Sequence, residues 1–381
     1  MSELIIDRYL KAMTKQGASD LFLTKGASPS LRIDGKVIPI KAPPLKEEDI
    51  NLILEDLLNE DQRDELESTL ELNTAIDYET GERFRISVFY QKGQHGLVAR
   101  LIKTEIPSFE DLGIPDVYGD FIMDKRGLFL MVGSTGSGKS TSLASMLDYR
   151  NKNGSGHIIT IEDPIEFLHE HKNCIFTQRE VGMDTYSYSI ALKNALRQSP
   201  DVVLIGEIRD RETMENAILF CETGHLVIAT LHANNSNQAI ERIINMFPEE
   251  LHRQILTTLS QNINAVVSQR LVPSVDGKLA MAYEILINTG LARVLISEGK
   301  VKELKDVMER NYGNGMITFD QCLLDMIKAE KISLDVALEE SDNPNNLKLK
   351  IKQDPKLRGV EIKEMREELD AEISIKDDNE F

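Results

Sequence analysis

At 381 residues with 41% hydrophobic content, the chain is long enough for two packed domains and a tail, and its composition excludes a wholly disordered polymer. A formal net charge of -19 argues against a sequence-independent grip on nucleic acid, which needs clustered Lys and Arg to neutralise phosphates. Cys174, Cys221 and Cys322 are too few and too scattered for a disulfide framework or a four-thiolate zinc site, which fits a reducing compartment.

In chain order, Ile5 to Ala12 reads as a short helix and Leu21-Phe22-Leu23 as a strand after a Gly17 turn. Leu31 to Ile33 and Lys36 to Ile40 flank Asp34-Gly35, a two-residue hairpin signal because both turn positions need positive φ. Glu47 to Leu70 is a charged helical stretch with Ile50, Ile53, Leu54, Leu57 and Leu58 on one face. Arg83 to Tyr90 and Gly96 to Ile102 look like two further strands joined across residues 91–95. Residues 1–103 are therefore expected to form a small α+β domain, followed by a Pro/Gly-punctuated linker over 104–118.

From Phe121 the pattern changes to apolar strands alternating with helices, as in a mainly parallel sheet covered on both faces. Predicted strands are Leu128 to Val132, Ile158 to Ile161, Val202 to Ile205, Leu226 to Thr230 and Leu279 to Ile287. Predicted helices are Ser187 to Arg197, Glu212 to Glu222, Gln238 to Met246 and Leu251 to Ile263, then a helical segment from Gly290 to about Leu338. An α/β domain over 119–345 is expected to give way to an acidic, flexible tail over 346–381, with a helix over Glu361 to Glu372. The N-terminus lacks a signal-peptide pattern, and no stretch approaches the roughly 18 apolar residues of a membrane span, so membrane association is expected to go through a partner.

The most specific stretch is Gly133-Ser134-Thr135-Gly136-Ser137-Gly138-Lys139-Ser140, a complete G-x-x-x-x-G-K-[ST] with an apolar strand before it and a helix after it. Its glycines let successive N–H groups turn inward while the following helix aims its positive end at the same point, so a polyphosphate is solvated by amides. Ser134 to Ser140 and Thr141 are therefore expected to wrap a nucleoside triphosphate. Lys139 would reach its β and γ phosphates, and the Ser140 hydroxyl would join a bridging magnesium.

Hydrolysis further requires a carboxylate for the metal shell, a base for water and positive charge for the leaving phosphate. Asp201 to Glu207 is an apolar strand ending in Gly-Glu, which puts Glu207 at the carboxyl end of the sheet as a metal-shell candidate. Thr160-Ile161-Glu162-Asp163-Pro164-Ile165-Glu166 crowds three carboxylates after another strand; Glu166 is the first choice as base, Glu162 the second, and Asp163 the residue orienting the loop, against a solvated acidic turn. His225 and His232 bracket one strand. His232, at its carboxyl end, is placed to sense the γ phosphate, and His225 reads equally as structural. His169, His171 and Cys174 lack a fourth ligand and read as a polar loop rather than a metal site. Arg83, Arg85 and Arg100 are candidate arginine fingers, a device contributing roughly 10³ to 10⁵ in rate, with exposed salt bridges as the alternative; Arg197, Arg209 and Arg242 are further candidates.

Together these boxes resemble the secretion and pilus ATPase family over about Gly17 to Leu338. Beside the phosphate loop, Thr160 to Glu166 is similar to the family's aspartate box, Ile205 to Asp210 to its Walker B, and Thr223 to Leu226 with Thr230 to His232 to its histidine box. The resemblance implies a RecA-like ATPase domain with a parallel-rich sheet, preceded by a PAS-like α+β domain, in a hexameric ring that uses ATP and Mg2+. It also implies that Glu166 is the catalytic glutamate and Glu207 the Walker B glutamate.

Absence of a four-cysteine insertion, with Leu31-Arg32-Ile33-Asp34-Gly35 and Gly315-Met316-Ile317-Thr318-Phe319-Asp320, makes the chain similar to type IV pilus retraction ATPases, which drive twitching motility. Leu291-Ala292-Arg293-Val294-Leu295-Ile296, standing where the PilT branch carries Ala-Ile-Arg-Asn-Leu, and the acidic tail point to a paralogous branch. The implied setting is cytoplasmic, peripheral at the pilus base on the inner membrane, with a PilT-like ring and a PilC-like platform protein as partners. The competing expectations are a pilus-extension or secretion motor, an ATP-binding accessory subunit without turnover, and a nucleic-acid translocase, the last disfavoured by charge.

Overall fold

The computed structural model describes residues 4–78, 81–354 and 357. The chain folds as two compact units, one comprising Met1–Ile106, Asp163–Glu170 and Arg179–Ser187, the other Pro107–Glu162, His171–Gln178 and Tyr188–Phe381.

The N-terminal unit is an antiparallel sheet with helices on one face. Its strands are β1 (Asp20–Thr24), β2 (Ser30–Ile33), β3 (Lys36–Pro39), β4 (Glu71–Asp77), β5 (Arg83–Gln91) and β6 (Gln94–Ile102), in the order β3-β2-β1-β6-β5-β4. Alternation decides the faces: Phe84, Ile86 and Val88 of β5 enter the core, while Arg83 and Arg85 stand on the opposite face. Helix Glu47–Leu57 packs Ile50, Ile53 and Leu54 into the same core, on the face the periodicity predicts. The Asp34-Gly35 turn has φ of 47° and 78°, as its hairpin requires.

Three expectations for this unit are corrected. The stretch Glu47 to Leu70 is two helices, because Asn59 caps a second one over Glu60–Thr69: its side chain accepts from Gln62 N at 2.9 Å, and the Gln62 side chain returns the contact to Asn59 N at 3.1 Å. The connection between β5 and β6 is a two-residue turn at Lys92-Gly93, both at positive φ, instead of a five-residue loop. Strand β4 is an element that the sequence reading lacked.

The second unit carries a seven-stranded sheet in the order β13-β12-β7-β11-β10-β8-β9. Its strands are β7 (Gly127–Val132), β8 (Gly156–Glu162), β9 (Cys174–Glu180), β10 (Val202–Ile205), β11 (Leu226–Leu231), β12 (Ile263–Pro273) and β13 (Leu279–Ile287). The pairs β12·β7, β7·β11, β11·β10 and β10·β8 are parallel and β12·β13 is antiparallel, which makes this the expected parallel-rich α/β sheet. Every residue of β7, β10 and β11 is buried, as strands covered on both faces must be.

Strands β9 and β12 were not anticipated, β12 because its start was absorbed into the end of helix His252–Asn262. The segment Gly290 to Leu338 resolves into helices Gly290–Ser297, Leu304–Arg310, Phe319–Lys328 and the first turns of Leu334–Glu340. The linker expected over 104–118 is not free chain throughout. Ser108 caps a short helix at Phe109–Leu112, Phe109 stacks on Tyr149 at 5.0 Å, and Ile114 and Tyr118 are buried in the core. The tail does not begin at residue 346 either: helix Pro344–Gln353, capped by Asn343, buries Leu347 and Ile351 in the core, and Leu357 joins them. The helix expected over Glu361 to Glu372 lies outside the described residues.

Candidate active site

The phosphate loop is built by its neighbours as much as by its own glycines. Buried β7 delivers the chain into Gly133, and helix Lys139–Asn153 begins directly after Gly138, which caps it at φ 85°. Gly136, at φ 80°, takes the left-handed conformation that lets the loop turn back. A side chain at Gly133 would meet the Gln269 backbone oxygen at 2.5 Å, and one at Gly138 would meet Gln269 Nε2 at 2.8 Å. The loop opens on a cavity of about 330 Å³ that is lined also by Asn234, Gln269, Arg270 and Glu340.

Lys139 is buried, and its ammonium donates to the carbonyls of Gly133 at 2.9 Å and Ser134 at 2.8 Å. The Ser137 hydroxyl is buried without a hydrogen-bond partner, a donor left over in a cradle that side chains at two positions would fill. These features fit a bound polyphosphate. Ser140 and Thr141, half-buried, follow on the first turn of the helix.

The parallel sheet brings further groups to the same edge, because β7, β10 and β11 run in one direction and their carboxyl ends coincide. Glu207 follows β10. Gly206 precedes it because a side chain there would strike Tyr188 Oη at 2.8 Å. The segment is tied to β11 by Ile208 N donating to Thr230 O at 2.9 Å and by Thr230 Oγ1 donating to Gly206 O. Glu207 Oε2 accepts from Arg209 Nε at 2.7 Å, and Oε1 faces His232 Nε2 at 3.3 Å. His232 thus reaches the Glu207 carboxylate, as its position after β11 allows. His225, at the other end of β11, is held by Phe220 O at 3.1 Å and Thr223 Oγ1 at 3.0 Å with its ring edge-on to Phe220, contacts that accord with the structural reading of that residue.

The aspartate box divides between the two units. Glu162 closes β8 in the second unit, where its carboxylate accepts from Thr160 Oγ1 at 2.6 Å. Asp163 to Glu170 belong to the N-terminal unit. There Glu166 is exposed between buried Ile165 and Phe167, and Ile165 N donates to Glu180 Oε2 at 3.1 Å. Glu180, itself buried, also pairs with Arg85 at 3.5 Å. Glu166 and the arginine-bearing sheet are therefore parts of one body, a grouping that spacing along the chain concealed.

The three candidate arginine fingers have acidic partners. Arg83 meets both Asp77 carboxylate oxygens at 3.0 Å, and Arg100, exposed, donates to Asp20 at 2.7 Å beside Arg32 at 3.5 Å. Arg85 and Arg100 stand opposite each other across β5 and β6. Arg209 is committed to Glu207, while Arg197 and Arg242 are exposed on the second unit. No group of three or more metal-ligating side chains occurs among the described residues. His171 Nδ1 accepts from Phe176 N at 3.1 Å, whereas Cys174 opens β9 with its side chain buried in the core, so the polar-loop reading fails for Cys174. Magnesium in phosphate sites keeps several waters and takes only one or two protein ligands, so Ser140 and Glu207 suffice as a donor set. Sequence reasoning missed Gln269, Arg270 and Asn234; Gln269 and Arg270 lie in β12 just after the apolar run Ala265-Val266-Val267, and that run was the available signal.

Residues 1–312 match the type II/IV secretion system protein family. The chain belongs to that family. It is 48% identical over 369 residues to the type IV pilus ATPase PilU of Pseudomonas aeruginosa, covering 97% of each chain. It is 41% identical over 341 residues to the retraction ATPase PilT of the same organism, covering 90% of this chain and 99% of that one. A crystal structure of the pilus retraction motor PilT with bound ADP superposes with a TM-score of 0.84 over 91% of this chain and all of that one, at 41% identity. The fold is that of the Legionella pneumophila ATPase DotB as well, at a TM-score of 0.76 and 24% identity. With this ancestry and a complete phosphate loop, the chain is an ATPase, and its likeness to PilU agrees with the paralogous branch read from Leu291 to Ile296 and the tail. No described helix is long and apolar enough to cross a membrane.

Proposed function

We propose that this chain is an ATP-hydrolysing motor of type IV pilus retraction, assembled as a hexameric ring at the cytoplasmic face of the inner membrane and coupled to a PilC-like platform protein. The observation that carries the reading is the phosphate loop between β7 and β12, with Glu207 and His232 at the same sheet edge, in a chain nearly half identical to PilU along its length. In the cycle, Lys139 leaves the carbonyls of Gly133 and Ser134 for the β and γ phosphates. Glu166 accepts the proton of the attacking water, and His232 registers the γ phosphate through Glu207. Ser140 and Glu207 would hold a magnesium ion, which would supply positive charge against the phosphates. Arg83, Arg85 and Arg100 exchange their acidic partners for the triphosphate, and the chain supplying them is the same chain or its neighbour in the ring.

Helix Gly290–Ser297 presents Leu291 and Val294 outward, where the PilT branch carries another sequence, and this supports action together with a PilT-like ring. The test is ATP hydrolysis by the purified chain across a range of protein concentrations, alone and with a PilT-like partner, with Lys139→Ala as blank. Specific activity that rises with assembly supports the motor. Nucleotide binding without turnover under either condition leaves only an accessory role and defeats the proposal.

A further inference from the structure

We infer that Gln269 is a positioning residue that holds the phosphate loop in its anion-binding shape. Strand β12 runs parallel to β7, with Ser268 level with Val132, so the next residue on each strand brings Gln269 against Gly133 at the start of the loop. The Gln269 side chain is buried, and both ends of its amide are used. Nε2 donates to Ser137 O at 2.8 Å, and Oε1 accepts from Ser142 Oγ at 2.9 Å. One side chain thereby ties the last part of the loop to the first turn of the helix that follows it.

The orientation is forced by chemistry. A peptide carbonyl can only accept, so the amide nitrogen must face Ser137 and the amide oxygen must face the Ser142 hydroxyl. A trans peptide is planar, with its C=O and the next N–H pointing in opposite directions. Fixing Ser137 O on Gln269 therefore aims Gly138 N–H away from the strut, and rotation of that peptide would cost the hydrogen bond. The same residue restricts the loop sterically, since its backbone oxygen excludes a side chain at Gly133 and its Nε2 excludes one at Gly138. Gly133 is thus demanded by the neighbouring strand, and Gly138 by its own left-handed φ of 85°.

This inference rests on the nucleotide site proposed above. It is tested by titrating the full chain and its Gln269→Glu, Gln269→Ala and Ser142→Ala variants with ADP, and by measuring KM and kcat for ATP. Gln269→Glu keeps the shape but sets an acceptor against the Ser137 carbonyl, and its ADP Kd and ATP KM are expected to rise roughly tenfold or more while kcat stays within about threefold, the pattern of lost uniform binding. Gln269→Ala should fall between it and Ser142→Ala, which removes one contact and should weaken ADP roughly two- to threefold. The ADP-free melting temperature should change far less than the shift that ADP induces. Wild-type ADP affinity in folded Gln269→Glu, or a lower melting temperature with affinity intact, overturns the inference and makes Gln269 a packing residue. Should Gln269→Glu fail to fold, unchanged ADP affinity in Ser142→Ala overturns it instead. A parent chain that binds no ADP defeats the nucleotide site itself, a result distinct from either.

Discussion

The phosphate loop and the aspartate box both follow strands of one sheet, yet they are secured in opposite ways. The loop is held inside its own unit, with Lys139 bonded to Gly133 and Ser134, and Ser137 bonded to Gln269. The aspartate box leaves its unit after Glu162, and Glu166 packs with the arginine-bearing sheet instead. The phosphate loop is therefore braced within one body, while the residue proposed to activate water is carried by another. Under the proposed function, this division would let the chemical step be made conditional on movement or assembly while the grip on nucleotide persists.

The sharpest way to break the comparison is a pair of substitutions. Lys139→Ala should reduce ATP turnover by roughly 10³-fold or more, because it removes the charge at the β and γ phosphates. Glu166→Gln should lower kcat by roughly 10² to 10⁴-fold while ADP affinity stays at the parent value, the mark of a lost general base. Equal loss of ADP binding in the two variants would show that Glu166 helps to build the binding site, and the division would collapse. Glu207→Gln belongs between them. Trapped, unhydrolysed ATP recovered with the protein is the expected result, and normal turnover would remove Glu207 from the site.

Two smaller effects sharpen the picture. Truncation after Asn346 discards Leu347, Ile351 and Leu357, all buried in the core of the nucleotide-binding unit, and loss of each such side chain costs about 2–5 kcal/mol. A chain ending there should melt well below the parent; equal melting of the two would take Leu347, Ile351 and Leu357 out of the stabilising core. The Cys221 and Cys322 thiols are pushed up to about 12 by burial. They stay neutral when folded while unfolded thiols ionise above about 8.5, so their contribution to stability is full below that pH and shrinks as pH rises toward 12. Thiol reagents at pH 8 should therefore react slowly with the native chain and fast after denaturation.

Much of this was legible from local pattern. Gly133 to Ser140 declares a phosphate site because its spacing satisfies backbone geometry that few other sequences can, and the apolar runs before Ser134, Gly206 and His232 mark buried parallel strands whose carboxyl ends share an edge. The Asp34-Gly35 hairpin was legible for the same reason, since its turn restricts φ. Reading failed where a local signal was outweighed by a stronger periodicity: Asn59 and Gln62 form a capping box inside what looked like one long helix, and β12 begins at the end of another.

What the sequence by itself determined is the kind of chemistry: a triphosphate cradle, a lysine and serine to meet it, and carboxylates at strand ends. These depend on neighbours along the chain, where spacing alone sets distance. Only the tertiary structure decided which groups share a body. Gln269 stands 132 residues from Ser137 and Arg85 stands 95 residues from Glu180, and such pairs meet through strand register and packing, which no short-range pattern encodes.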